Sequence, residues 1–120
     1  MSTYWGYHTM LDCSGCNHDS ITNGEHIKAF INDLVKRIDM VAYGDPIVEH
    51  FATHDPIKAG WSAVQLIETS NICMHAVDAD DTMYLDVFSC KEYDTQTVID
   101  IVKEYFGAKT VRLNYITRQA

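Results

Sequence analysis

The sequence predicts an α+β fold, a two-layer sandwich in which a mainly antiparallel sheet carries two amphipathic helices on one face. Three observations lead there. Two stretches place apolar residues at i, i+3 and i+4, while five or six shorter ones alternate or are rich in β-branched and aromatic residues. Gly, Pro, Asn and Asp punctuate the intervals between them. With 120 residues and a hydrophobic fraction of 47%, the chain can fill one core, and so forms one domain, 1–120.

Residues 3–12 are rich in Tyr, Trp, Thr and Leu and suit a first strand, and the polar residues 13–23 read as turn. A helix is predicted from about 24 to 40. Ile27, Phe30, Ile31, Leu34, Val35 and Ile38 form its apolar stripe, and Lys28, Asp33, Lys36, Arg37 and Asp39 its solvated face. Gly44-Asp45-Pro46 breaks the chain, and 47–53 makes a second strand. Asp55-Pro56 and Gly60 mark a turn before a third strand at 62–69. Residues 71–77 and 83–90 form a hairpin around the acidic run Asp78-Ala79-Asp80-Asp81. The second helix spans 95–106, capped by Asp94 or Thr95 and stopped at Gly107. Its stripe is Val98, Ile99, Ile101, Val102, Tyr105 and Phe106. Residues 109–116 supply a last strand.

The chemistry concentrates in the stretch 66–90. Ser70 is followed by His75 five residues later and by Cys90 twenty residues later. A hydroxyl, a proton carrier near neutral pH and a thiol are what covalent chemistry with proton transfer requires. Folding the hairpin at the acidic run offers a way for them to meet across adjacent strands. Taken singly, each has a plainer role: Ser70 a turn serine, His75 a hydrogen-bonded core histidine, Cys90 a buried thiol, Asp78 a solvated turn residue.

As a set, Glu68-Thr69-Ser70, then His75, then Leu85-Asp86-Val87-Phe88-Ser89-Cys90 resembles the core of the S-adenosylmethionine decarboxylase proenzymes of the small prokaryotic type. Gly6-Tyr7-His8 is similar to that family's opening. The resemblance spans nearly the whole chain and is most specific over 68–75 and 85–90. It implies a βαββ unit used twice. It also implies autocatalytic cleavage between Thr69 and Ser70, giving chains 1–69 and 70–120, with Ser70 becoming a pyruvoyl cofactor. His75 would be the processing base and Cys90 the proton donor in turnover. The implied reaction is decarboxylation of S-adenosylmethionine, whose amine condenses with the pyruvoyl ketone, for polyamine (spermidine) synthesis. Tyr7 and Phe51 are the nearest matches to the aromatic residues that hold the adenine, with Glu68 and Asp78 as nearby acids. A homodimer is implied, with pockets shared across the contact.

The sequence departs from the family pattern in three places. Thr69 precedes the serine where glutamate is usual, Asn71 follows it where histidine is common, and Val77 stands near the histidine where tryptophan is often found. These changes bear on self-cleavage and substrate choice more than on the fold. Two other outcomes stay open: an unprocessed, non-catalytic or regulatory relative, or a decarboxylase of another amino acid such as ornithine or arginine.

A net charge of −8 speaks against nucleic acid or an anionic membrane as partner and is compatible with a cationic ligand such as a sulfonium. No apolar run reaches the roughly 20 residues that span a bilayer, and 1–11 has no signal-peptide pattern. A cytoplasmic location with reduced thiols is therefore expected for Cys13, Cys16, Cys73 and Cys90. Cys13-Ser-Gly-Cys16-Asn-His18 is the competing feature. With His50 and His54 it could make a zinc site on paper, though no metal is assigned because the second pair lacks a recognised spacing.

Overall fold

The computed structural model describes residues 3–120. In chain order the elements are β1 (Gly6–Ser14), α1 (His18–Ile21), α2 (Gly24–Arg37), β2 (Ala42–Phe51), β3 (Gly60–Ile67), β4 (Ser70–Val77), β5 (Thr82–Ser89), α3 (Thr95–Phe106) and β6 (Thr110–Arg118). The strands form one sheet in the order β2-β3-β4-β5-β1-β6, with every pair antiparallel among the described residues. The first half runs β1, α2, β2, β3, and α3 lies between β5 and β6. This is the α+β sandwich that the periodicity predicted.

Both long helices cover one face. α2 turns Ile27, Phe30, Ile31, Leu34 and Val35 inward, and α3 turns in Val98, Ile99, Ile101, Val102 and Phe106. They meet alternate strand residues, among them Leu11, Ala63, Ile72, Met74, Met83, Leu85 and Val87. Phe30 and Phe106 meet edge to face at 4.8 Å in the middle of this layer. Each large side chain so buried contributes about 1.5–3 kcal/mol. The ends of α3 match the predicted chemistry, and α2 begins in the same way. Asn23 and Asp94 accept hydrogen bonds from the first turns of α2 and α3. Gly107 closes α3 at φ 61, where a Cβ would be strained.

Several strand ends shift by a few residues from the sequence expectation, among them the third strand, which ends at Ile67 rather than 69. Three differences change the path of the chain. Residues 18–21 form the short helix α1, capped by the Asn17 side chain, inside the stretch read as turn. The long helix stops at Arg37 rather than 40, because Asp39 turns to φ 58 and sends the chain toward β2. Gly44-Asp45-Pro46 does not end a segment. The strand passes through it as a bulge, its register jumping between Tyr43 and Ile47, with Gly44 at φ 72. β2 is an edge strand, so the N–H that Pro46 lacks need not be missed.

The opposite face of the sheet carries no helix among the described residues. One row across it reads Tyr43, Leu66, Asn71, Phe88, His8, Ile116, and the next reads Ile47, Val64, Cys73, Asp86, Met10, Asn114. Tyr43 is 73% exposed, Ile47 64% and Leu66 53%. A wide apolar face open to water marks a surface of interaction.

Candidate active site

Ile67 pairs directly with Ser70, so only Glu68 and Thr69 connect β3 to β4. Two-residue hairpin turns usually match the strand twist by taking positive φ within the loop. Neither Glu68 nor Thr69 does so. The rotation falls on Ser70, at φ 153, a region that favours glycine. Thr69 is thus a turn residue, and the bond to Ser70 leads into a strained position.

β5 closes on this turn. Ser70 pairs with Ser89, and the Cys90 N–H donates to the Thr69 carbonyl at 2.9 Å. Ser89 is fully buried, and its hydroxyl donates to Thr69 Oγ1 at 2.8 Å. Cys90 itself is exposed, just past the end of β5. Glu68 is exposed, and its N–H is held by the Val41 carbonyl at 2.9 Å. Tyr7, opposite Ser89 on β1, lies at the same end of the sheet but is buried. Thr69, Ser70, Cys90, Glu68 and Tyr7 therefore gather at one end.

His75 does not join them. It sits five residues along β4, about 16 Å from Ser70 at ~3.3 Å per residue, opposite Ser62 on β3 and Tyr84 on β5. Its Nδ1 pairs with Ser62 Oγ at 2.7 Å, on the open face. Beside it the backbone is crowded: a Cβ on Gly60 would stand 2.0 Å from the Ala76 carbonyl oxygen and 3.2 Å from His75 Cε1. Asp78 lies beyond, with one carboxylate oxygen 2.7 Å from His50 Nε2 and the other buried with no partner among the described residues. His50 stacks on Trp61 at 4.6 Å. Phe51, opposite Gly60 on β2, is exposed at this far end. Sequence reasoning missed Ser62 and Ser89. The register across a turn at 68–69 would have paired Ser62 with His75.

The thiols proposed as an alternative metal site lie elsewhere. Cys13 and Cys16 are buried, and burial first, with the Cys16 and Asp12 charges second, pushes the Cys13 thiol up to about 12. Burial, with Asp81 nearby, pushes Cys16 up to about 11. His18 bonds Asp81 at 2.6 Å and His50 bonds Asp78, so each imidazole is drawn to a carboxylate. Among the described residues no group of three or more His, Cys, Asp or Glu is placed to hold a metal ion.

Comparison with known proteins meets this geometry. A family model described as S-adenosylmethionine decarboxylase matches residues 7–119. An S-adenosylmethionine decarboxylase proenzyme of Clostridium botulinum is 28% identical over 116 residues, which is 96% of this chain and 95% of the relative. A proenzyme of the same name from Pyrococcus horikoshii is 25% identical over 114 residues, 94% of this chain and 78% of the relative. The crystal structure of the adenosylmethionine decarboxylase from Aquifex aeolicus superposes with a TM-score of 0.84, covering 99% of this chain and 94% of that one. At 19% identity that likeness is one of fold. With the family match running through nearly the whole chain, the protein belongs to the S-adenosylmethionine decarboxylase family, a family of carboxy-lyases.

Proposed function

We propose that this chain decarboxylates S-adenosylmethionine with a pyruvoyl group made from its own Ser70, after cleavage of the Thr69–Ser70 bond. One observation carries the reading. Ser70 is held at φ 153 while the carbonyl before it accepts the Cys90 N–H at 2.9 Å. Strain at the bond to be broken, with a donor on the oxygen where charge develops, is what an acyl shift needs.

The steps follow from the chain's own atoms. Ser70 Oγ attacks the Thr69 carbonyl carbon, and the Cys90 N–H steadies the developing oxyanion. The C–N bond then breaks, leaving an ester from Thr69 to Ser70 Oγ and a free Ser70 amine. Removal of the Ser70 α-proton expels the Thr69 carboxylate, and one water replaces the nitrogen as ammonia leaves. His75, its Nδ1 set by Ser62, is the base we assign to the proton removal. What a pyruvoyl group supplies to such a site is an electron sink for α-decarboxylation. Cys90, exposed beside Ser70, is the residue we assign to return a proton to the substrate α-carbon, completing the product used in polyamine synthesis.

His75 lies too far along β4 to serve the Ser70 of its own chain. A second copy packed on the open apolar face would bring in its His75–Ser62 pair, and this favours a homodimer with two shared sites. Phe51 and Glu68, both exposed, are candidate substrate contacts there, whereas Tyr7 is buried on the helix side of β1 and Asp78 is bonded to His50. The test is release of labelled carbon dioxide from carboxyl-labelled S-adenosylmethionine. Wild type should release it and Ser70→Ala should not. Release from labelled ornithine or arginine instead would move the reading to another substrate, and no release from any would favour the non-catalytic relative.

A further inference from the structure

We propose that Ser89, Thr69 and Met40 form a hydrogen-bonded relay that positions the scissile carbonyl, with Ser89 and Thr69 as positioning residues for self-cleavage. The proposal rests on the self-cleavage reading above. It concerns one of the departures from the usual family pattern, the threonine that stands before the serine.

The contacts run in one direction. The Lys91 N–H donates to Ser89 Oγ at 3.0 Å, Ser89 Oγ donates to Thr69 Oγ1 at 2.8 Å, and Thr69 Oγ1 donates to Met40 Sδ at 3.3 Å. An amide N–H can only donate and a thioether sulfur can only accept. With the shorter contacts made, Ser89 to Thr69 at 2.8 Å rather than Ser89 to the sulfur at 3.6 Å, both hydroxyls point along the relay toward the sulfur. Ser89 is fully buried and Met40 is 8% exposed, so water is a poor competitor for the relay.

Both ends are anchored to the same place. Lys91 Nζ reaches back to the Asp39 carbonyl at 2.6 Å and to Asp39 Oδ2 at 2.8 Å. The Met40 N–H is tied to the Val35 carbonyl at 2.9 Å. The circuit Asp39–Met40–Thr69–Ser89–Lys91–Asp39 thus encloses the cleavage turn. Thr69 is gripped at two atoms by consecutive residues, its Oγ1 by Ser89 and its carbonyl oxygen by Cys90. Two grips restrict rotation of the Thr69 carbonyl plane, and that plane decides the face offered to Ser70 Oγ.

The experiment follows cleavage of freshly refolded chain on a denaturing gel. Thr69→Val keeps the shape and removes the hydroxyl, while Ser89 Oγ retains Met40 Sδ at 3.6 Å, so the fold should hold. Cleavage should slow on the order of 10- to 100-fold, the scale of losing one positioning contact. Thr69→Ser restores the hydroxyl and should restore most of the rate. Hydroxylamine, which captures the ester, should harvest little from Thr69→Val and much from His75→Ala, because the first fails before the ester and the second after it. Wild-type speed in Thr69→Val, or equal slowness in Thr69→Ser, would overturn the relay. Ser70→Ala, which cannot cleave, gives a separate readout: slowly exchanging hydroxyl protons of Thr69 and Ser89 in its proton NMR spectrum. Their absence overturns the relay even where wild type cleaves. Wild type that keeps those protons and never cleaves overturns the self-cleavage reading and, with it, the role given to the relay.

Discussion

Mixing two inactive variants tests the division of the site between chains. A base must come within about 2.6–3.2 Å of the proton it takes, directly or through one water. Five residues of extended β4 separate His75 from Ser70 by about 16 Å, roughly five times that reach. β4 is an inner strand paired along its length with β3 and β5, so it cannot fold back without losing both ladders. Ser70→Ala and His75→Ala should each stay uncut alone. Refolded together in equal amounts, about half of the dimers should be mixed by random pairing. On the proposed arrangement each mixed dimer should hold one complete site, the Ser70 of one chain facing the His75 of the other. About half of the His75→Ala chains should then be cleaved, and none of the Ser70→Ala chains. A denaturing gel with different tags on the two variants reads this directly. Mixed dimers that form, by tag pull-down, yet leave every chain intact would refute the shared site, as would His75→Ala that cleaves alone at the wild-type rate.

Two further outcomes follow from the ionisable groups. Cys90 is exposed, while burial pushes the Cys13 thiol up to about 12 and the Cys16 thiol up to about 11. Iodoacetamide at pH 8 should therefore label Cys90 in the native protein and reach Cys13 and Cys16 only on unfolding, as peptide mapping would show; equal labelling rates would contradict the burial argument. His18 hydrogen-bonds Asp81, and this raises its imidazole above the ordinary 6.5. The contact between α1 and the β4–β5 turn is then at full strength below pH 6.5 and weakens as pH rises through the raised value. An NMR titration should place His18 above 6.5 and Asp81→Asn should bring it back; a midpoint at or below 6.5 in wild type would count against the pair.

Much of the fold was legible because helices and strands announce themselves by period. The stripe Ile27, Phe30, Ile31, Leu34, Val35 is the buried face of α2, and Val98 to Phe106 that of α3. α1 was not legible: four residues with one buried member, Ile21, carry no period. Nor could local chemistry show that Gly44-Asp45-Pro46 is a bulge, since only its place on an edge strand makes a proline there harmless. The nearness of Ser70 and Cys90 was legible from the hairpin. The separation of His75 follows from five residues of one extended strand, which the expectation that the hairpin would gather all three overlooked. Its pairing with Ser62 depends on register, set by the turn falling at Glu68-Thr69. The same register sets Phe51 and Asp78 at the far end of the sheet. Ser62 and Ser89 were passed over because a lone serine in a strand carries no signal until its cross-strand partner is known.

The mass of the purified wild-type chain under denaturing conditions bears most directly on whether Ser70 becomes a pyruvoyl group. Two species are expected, residues 1–69 and 70–120, the second lighter by one ammonia than a serine-ended peptide and reducible by borohydride. A single full-length species, or a fragment 70–120 that still begins with an ordinary serine amine, would contradict it.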